Sequence, residues 1–92
     1  MTAPVAEREA KIVNPLGLHA RPAAQLVRLA ATFSSDIYFS KDGVEVNGKS
    51  IMGVMMLAAE CGSSLIIRAT GPDAEPAVLA IAELVATGFG EM

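Results

Sequence analysis

The only histidine of this 92-residue chain, His19, is the residue whose surroundings best suit nucleophilic chemistry. The loop formers Asn14–Pro15 and Gly17 precede it, and a segment of helix-forming residues follows it. Pro22 fits the first turn of a helix, because its missing N–H is not needed there. We therefore predict that His19 lies at the N-terminus of a helix, where unpaired N–H groups and the helix dipole favour an anion such as phosphate.

Arg21, two residues after His19, adds a guanidinium whose forked donors suit a phosphate. Together with the backbone N–H groups of Ala20 and Arg21, it could hold a phosphoryl group beside the imidazole. The nitrogen must be unprotonated to attack phosphorus, and the positive helix end and the arginine both disfavour an imidazolium. The alternative is a histidine that only occupies a cap position, with Arg21 as a solvated helix residue.

Two stretches of the chain resemble the HPr family, the histidine phosphocarriers of the phosphoenolpyruvate-dependent sugar phosphotransferase system. They are Gly17–Ala23 (GLHARPA), similar to the active-site stretch, and Asn47–Val54 (NGKSIMGV), similar to the regulatory serine segment. Leu16 departs from the small polar residue of many members, without removing a reactive group. The resemblance, which covers about residues 5 to 90, implies that Nδ1 of His19 carries a phosphoryl group that Arg21 stabilises.

The partners are also implied by the resemblance: phosphorylated enzyme I as donor, EIIA-type domains as acceptors and an HPr kinase/phosphorylase that modifies Ser50. From its position alone, Ser50 is a helix N-cap. The apolar helix after it is too short to bury every side, and the resemblance implies that partners dock there. The docking residues are predicted to be Leu18, Ile51, Met52 and Met55. Met56 and Leu57, and alternatively Met55, are assigned to the core.

Composition limits the remaining possibilities. A net charge of −3 argues against nucleic acid as the main partner, and the longest apolar run, Ile51–Ala59, is too short to span a bilayer. The single Cys61 permits no intrachain disulfide and no cysteine-based zinc site; we expect it to be buried or to be an inert thiol near a helix end. With no signal peptide apparent, we expect a cytoplasmic monomer without metal or cofactor.

The pattern of strands and helices must position this chemistry. Strands are predicted at Val5–Val13, Asp36–Lys41, Val44–Val46 and Ser64–Thr70, and helices at Ala20–Ala31, Ile51–Ala58 and from the N-cap Asp73 to the C-cap Gly88. Asp42–Gly43 indicates a hairpin turn, and residues 1–4 a flexible tail on a single domain, 1–92. The order βαββαβα predicts an α+β sandwich. The resemblance implies an HPr-like open-faced β-sandwich, a four-stranded antiparallel sheet with three helices on one face.

Three other functions are alternatives to phosphotransfer from enzyme I to an EIIA-type acceptor. A hydrolase using His19 as a base would need a nucleophile and an orienting carboxylate, and no serine or cysteine motif accompanies them. A regulatory relative that has lost phosphotransfer would lack the histidine. The nitrogen-related branch of the phosphotransferase system, in which the carrier signals instead of feeding sugar uptake, remains an open alternative.

Overall fold

The protein, described here from a computed structural model that covers residues 3–91, has the predicted element order followed by a short 3-10 turn at Gly88–Gly90. The strands are β1 (Val5–Lys11), β2 (Asp36–Lys41), β3 (Val44–Asn47) and β4 (Ser64–Thr70). The helices are α1 (Ala20–Ala30), α2 (Ile51–Met56) and α3 (Ala74–Ala86). Of the predicted tail, Met1 and Thr2 lie outside the described residues, whereas the carbonyl of Pro4 accepts a hydrogen bond from the Gly71 N–H at 2.9 Å.

The four strands form one antiparallel sheet in the order β1-β4-β2-β3. The β2–β3 hairpin turns at Asp42 and Gly43, whose φ angles of 51° and 83° lie in the left-handed region. This conformation is typical of the two-residue hairpin turns that Asp-Gly favours. The expected hairpin is therefore confirmed.

The core lies between one face of the sheet and the three helices. Alternate residues of β4 are buried, as a strand covered on one side requires. The largest fully buried side chains include Phe39, Ile12, Leu26, Ile37, Leu65, Ile67 and Ile81. On the opposite face Arg68 donates to Glu45 and lies over the ring of Tyr38. The architecture is the expected α+β open-faced sandwich.

Helix α2 differs from the prediction in where it ends and in which residues it buries. The helix ends at Met56 rather than Ala58, because Ala58 adopts a φ of 50° and leaves the helical region. Met56 was assigned to the core but is 76% exposed, whereas Leu57 is buried as predicted. A six-residue helix has room for one inward stripe, and Val54 and Leu57, three residues apart, occupy it.

Two further assignments are corrected by the structure. Of the two alternatives for Cys61, burial is wrong, because the residue is exposed in the turn between α2 and β4, whereas an inert thiol near a helix end stays a prediction. Asp73 does occupy the N-cap position of α3, but its carboxylate does not cap that helix. It instead accepts hydrogen bonds from the N–H groups of Ser34 and Ser35 and from the Ser35 hydroxyl, which join the α1–β2 turn to the start of α3.

Candidate functional site

A glycine turn brings His19 to the start of α1. Gly17 has a φ of 67°, and a Cβ at this position would collide with the carbonyl oxygen of Ala59, so the site needs glycine. The Leu18 N–H donates to that same carbonyl at 2.9 Å, and the His19 N–H donates to the Gly17 carbonyl at 3.0 Å. The loop before α1 is thus fixed against the loop that follows α2.

Leu18 itself is 5% exposed, so it cannot belong to an exposed docking face as predicted. Its N–H bonds the Ala59 carbonyl, and its side chain belongs to the buried cluster of the core. Leu16, the departure from the family pattern, is 74% exposed. The change at Leu16 therefore lies on the surface of the loop.

His19 is the N-cap residue of α1, and its side chain makes no capping hydrogen bond. Pro22 has no N–H, and the Ala23 N–H already donates to the His19 carbonyl at 3.0 Å. Within residues 3–91 the N–H groups of Ala20 and Arg21 therefore have no acceptor. These are the two donors that the sequence predicted for an anion.

The imidazole of His19 contacts a residue that the sequence analysis missed. Nε2 lies 2.8 Å from Oε2 of Glu91, and the two side chains are 38% and 15% exposed. The other carboxylate oxygen, Oε1, accepts a hydrogen bond from Nδ2 of Asn14 at 2.9 Å. Asn14 was interpreted as a loop former, but it is fully buried and also donates to the Gly17 carbonyl at 2.8 Å.

Glu91 reaches the site through the turn that follows α3. Gly88, Phe89 and Gly90 all have positive φ, at 68°, 59° and 73°, which reverses the chain after Thr87. Phe89 is buried at 4% exposure, and its carbonyl accepts a hydrogen bond from Nε2 of Gln25 on α1. The turn is therefore anchored to the core and to the helix that begins at His19.

The remaining predicted residues lie on the surfaces of α1 and α2, which pack against each other. Arg21 is exposed and forms no hydrogen bond or ion pair with any residue from 3 to 91, so its guanidinium is available to a ligand. The hydroxyl of Ser50, the N-cap of α2, accepts the Gly53 N–H at 3.1 Å. After it, Ile51, Met52 and Met55 are 43%, 75% and 43% exposed.

The groups gathered around His19 suit an anionic ligand. In the described part of the chain, no group of three or more His, Cys, Asp or Glu side chains could hold a metal ion. None of the helices formed by residues 3–91 is long and apolar enough to cross a membrane. Among residues 3–91 the site offers a partly exposed ring nitrogen, two N–H donors without an acceptor and a guanidinium without a partner, which suit a transferable anionic group.

Comparison with known proteins identifies the class to which this site belongs. A family model described as the PTS HPr component phosphorylation site matches residues 6–87. The phosphocarrier protein HPr of Cupriavidus necator is 48% identical over 85 residues, which are 92% of this chain and 96% of that protein. The chain therefore belongs to the HPr family of phosphocarrier proteins of the phosphotransferase system.

Solved structures of HPr proteins have the same fold. A crystal structure of HPr from Thermoanaerobacter tengcongensis superposes with a TM-score of 0.90 at 45% identity, covering 95% of this chain and 98% of that one. A second structure from that organism, described as an HPr dimer, has a TM-score of 0.76 at 47% identity and covers 88% of this chain and 93% of its own. The HPr-like open-faced β-sandwich is thus confirmed.

Proposed function

We propose that His19 accepts a phosphoryl group from phosphorylated enzyme I and passes it to an EIIA-type domain. The chain would then be a stoichiometric intermediate rather than an enzyme, acting as one domain and as a monomer in the cytoplasm. The observation that carries this proposal is the uncapped N-terminus of α1, where two unpaired N–H groups and the exposed Arg21 lie next to a half-exposed imidazole. Family membership supports the same assignment.

Each group has a distinct part in the proposed transfer. Nδ1 of His19 forms the bond to phosphorus, since an imidazole phosphate keeps the high transfer potential that a serine phosphate lacks. The N–H groups of Ala20 and Arg21 and the helix dipole stabilise the phosphoryl oxygens. The Arg21 guanidinium balances the charge that moves in with the phosphoryl group.

The function is tested by incubating the protein with phosphoenolpyruvate labelled with ³²P and enzyme I. We expect a single acid-labile and alkali-stable label, which disappears in His19→Ala. Adding EIIA proteins of the sugar branch and of the nitrogen-related branch in parallel then shows which acceptor takes the label. An acid-stable product, or unimpaired labelling of His19→Ala, would contradict the proposal.

We also propose that the exposed start of α2, formed by Ile51, Met52 and Met55, is the surface on which partners dock. Exposed apolar side chains grouped on one short helix are typical of an interaction site. Replacing Ile51 and Met52 with Asp should weaken enzyme I binding by at least about tenfold, because burying an unpaired charge costs well over 1.4 kcal/mol (roughly one factor of ten). The control is Val44→Asp with Leu79→Asp, two other exposed apolar residues.

Nuclear magnetic resonance titration with enzyme I measures this binding. The affected residues should be 17–24 and 50–57, and the control variant should bind as the wild type does. Shifts that avoid both ranges, or equal losses in the two variants, would place the interface elsewhere.

Ser50 is proposed as the regulatory site, phosphorylated by an HPr kinase/phosphorylase. A phosphate at this N-cap faces the positive end of α2, so it should not unfold the helix. It would add a charge of about −1.5 to −2 next to Ile51 and Met52 and so oppose burial of the docking surface. Regulation would therefore act on partner binding.

A further inference from the structure

Two side chains that the transfer step does not itself require, Glu91 and Asn14, are joined to His19 by consecutive hydrogen bonds. Nε2 of the ring contacts Oε2 of Glu91 at 2.8 Å, and Oε1 accepts from Asn14 at 2.9 Å. We propose that Glu91, oriented by Asn14, is a positioning residue that keeps the hydrogen of the neutral ring on Nε2 and leaves Nδ1 as the acceptor atom. The catalytic consequence rests on the proposed function, whereas the position of the hydrogen does not.

The neighbours of Asn14 fix the orientation of its amide. Nδ2 faces two acceptors, the Gly17 carbonyl at 2.8 Å and Oε1 of Glu91 at 2.9 Å. A reversed amide would set its oxygen against both of these oxygens, so only the NH₂ group fits there. Oδ1 is buried and has no partner within residues 3–91, which is a costly state for a polar atom. The NH₂ group of Asn14 thus has two acceptors, while its Oδ1 has no donor among residues 3–91.

The carboxylate of Glu91 is held by its backbone as well. The Glu91 N–H donates to the Gly88 carbonyl at 3.0 Å, which closes the turn with positive φ angles. The buried ring of Phe89 anchors that turn in the core, and Gln25 binds the Phe89 carbonyl. Because both ends of the side chain are constrained, Oε2 is directed at the ring rather than free in solvent.

The protonation of the ring follows from the partner that Nε2 has. An ionised carboxylate can only accept a hydrogen bond, so Nε2 must carry the hydrogen. In a neutral imidazole the lone pair is then on Nδ1, and Nδ1 alone can attack phosphorus.

In the transfer step that lone pair forms the nitrogen–phosphorus bond while the bond from phosphorus to the donor atom breaks, and its electron pair stays with the donor. No proton moves, so the ring keeps the Nε2 hydrogen and gains positive charge. Glu91, at 2.8 Å, lies where a negative charge stabilises that ring.

The amide variant of Glu91 gives the sharpest test. In Glu91→Gln, Asn14 can donate only to the oxygen of the new glutamine amide. The NH₂ group of that glutamine then faces Nε2 of His19 and needs the lone pair of Nε2 as its acceptor. The ring hydrogen should then move to Nδ1 and block the acceptor atom. In Glu91→Ala the ring is unconstrained and both forms should be populated. Glu83→Gln, the same charge change at an exposed residue of α3, is the matched control.

Because the chain has one histidine, ¹⁵N-labelled histidine reports the hydrogen position without overlap. At a pH where the ring is neutral, we expect Nε2–H in the wild type and in Glu83→Gln, Nδ1–H in Glu91→Gln and a mixture in Glu91→Ala. Phosphoryl acceptance from enzyme I should fall about 10-fold in Glu91→Ala and about 100-fold in Glu91→Gln. The conservative variant should therefore be the slower one, which a purely structural role would not produce.

Each measurement can overturn the inference separately from the proposed function. A wild-type ring with its hydrogen on Nδ1, or one distribution in all four proteins, overturns it even if transfer proceeds. Equal transfer rates in wild type and both Glu91 variants also overturn it. If the wild type accepts no phosphoryl group, the proposed function fails, and the hydrogen position in the unphosphorylated protein still decides this inference.

Discussion

The N-termini of α1 and α2 have similar backbone at the N-cap residue, but they differ in whether the N-cap side chain bonds the helix. Each helix follows a loop, and each N-cap residue, His19 or Ser50, has extended backbone, with ψ of −171° and 116°. The hydroxyl of Ser50 accepts the Gly53 N–H, which satisfies one of the unpaired donors of α2. The imidazole of His19 contacts Glu91 instead, and α1 keeps two donors unpaired within residues 3–91. One helix end is closed by its own side chain, and the other is left open.

The N-terminus of α1 lacks the stabilising side-chain cap that the N-terminus of α2 has. A capping side chain contributes about 1 kcal/mol, and α1 lacks this contribution although a serine would fit the same backbone. The N-terminus of α3 adds a further case, since its N-cap Asp73 binds Ser34 and Ser35 instead of its own helix. The residue type at a cap position therefore does not by itself tell whether a helix end is closed.

Converting the open end into a closed one should have the largest effect. His19→Ser should abolish phosphoryl acceptance, because the acceptor nitrogen is lost, and should make α1 resemble α2. His19→Ala should abolish acceptance equally but lack the cap. We expect the serine variant to be more stable than the alanine variant by about 1 kcal/mol in urea unfolding. Equal stabilities would mean that the two helix ends differ in more than the cap.

Removing the cation from the open end should have the next largest effect. Arg21→Ala should slow phosphoryl acceptance by about 100-fold, because the guanidinium acts on charge present only during transfer. The free energy of unfolding should change by less than about 0.5 kcal/mol, since the residue is exposed. Arg28→Ala, an exposed arginine farther along α1, is the control and should transfer normally. Equal rates for Arg21→Ala and Arg28→Ala would make Arg21 a surface residue only.

Changing the closed end should affect stability and binding rather than chemistry. Ser50→Ala should lower the free energy of unfolding by about 0.5–2 kcal/mol, while Ser50→Asp should retain the cap. With enzyme I, Ser50→Asp should raise the apparent KM a fewfold and leave the maximal rate of transfer unchanged, because one charge disturbs docking without touching His19. Rates measured against carrier concentration check this. An unchanged KM in Ser50→Asp would contradict the electrostatic account.

The smallest effect should come from Asp73, and only in acid. The Ser35 hydroxyl, and then the Ser34 N–H, lower the pKa of Asp73 from its ordinary value of 3.8. Because the pKa of Asp73 is lower in the folded protein than in the unfolded chain, ionised Asp73 stabilises the fold. This stabilisation is complete at a pH above the ordinary pKa and is lost as the pH falls through the lowered pKa. Stability measured from pH 6 down to acid should therefore decline less steeply in Asp73→Asn. Parallel curves for the two proteins would exclude this contribution.

The sequence predicted most of the fold because its signals are local. Asp42–Gly43 defines the hairpin, and Ser50 before an apolar run defines the start of α2; both depend on neighbouring residues. Met56 was misassigned because α2 is apolar on nearly all sides, so its pattern does not tell which side faces the core. Leu18 was misassigned because it lies in a loop, where no periodic pattern indicates burial. The packing of these segments in three dimensions is what buries Leu18 and leaves Met56 exposed.

The candidate site was predictable only in part, for the same reason. His19, Ala20 and Arg21 are adjacent, so their chemistry could be interpreted together. Glu91 lies at the other end of the chain and reaches the ring only because three successive residues adopt positive φ after α3. Gly88 and Gly90 were a signal for an unusual turn, but nothing in the sequence indicated the direction in which the turn leads.

The strand order β1-β4-β2-β3 has a kinetic consequence. Only the β2–β3 hairpin joins strands that follow each other, whereas β1 pairs with β4, from Val5 opposite Thr70 to Lys11 opposite Ser64. Closing so long a loop is slow compared with forming a hairpin. Asn14 lies just after β1 and Glu91 lies beyond β4, so we expect the hydrogen bonds from Asn14 to Glu91 and from Glu91 to His19 to form together with that closure. We therefore expect the full rate of phosphoryl acceptance to appear only with the last refolding phase, so that a partly folded chain would accept phosphoryl groups from enzyme I more slowly.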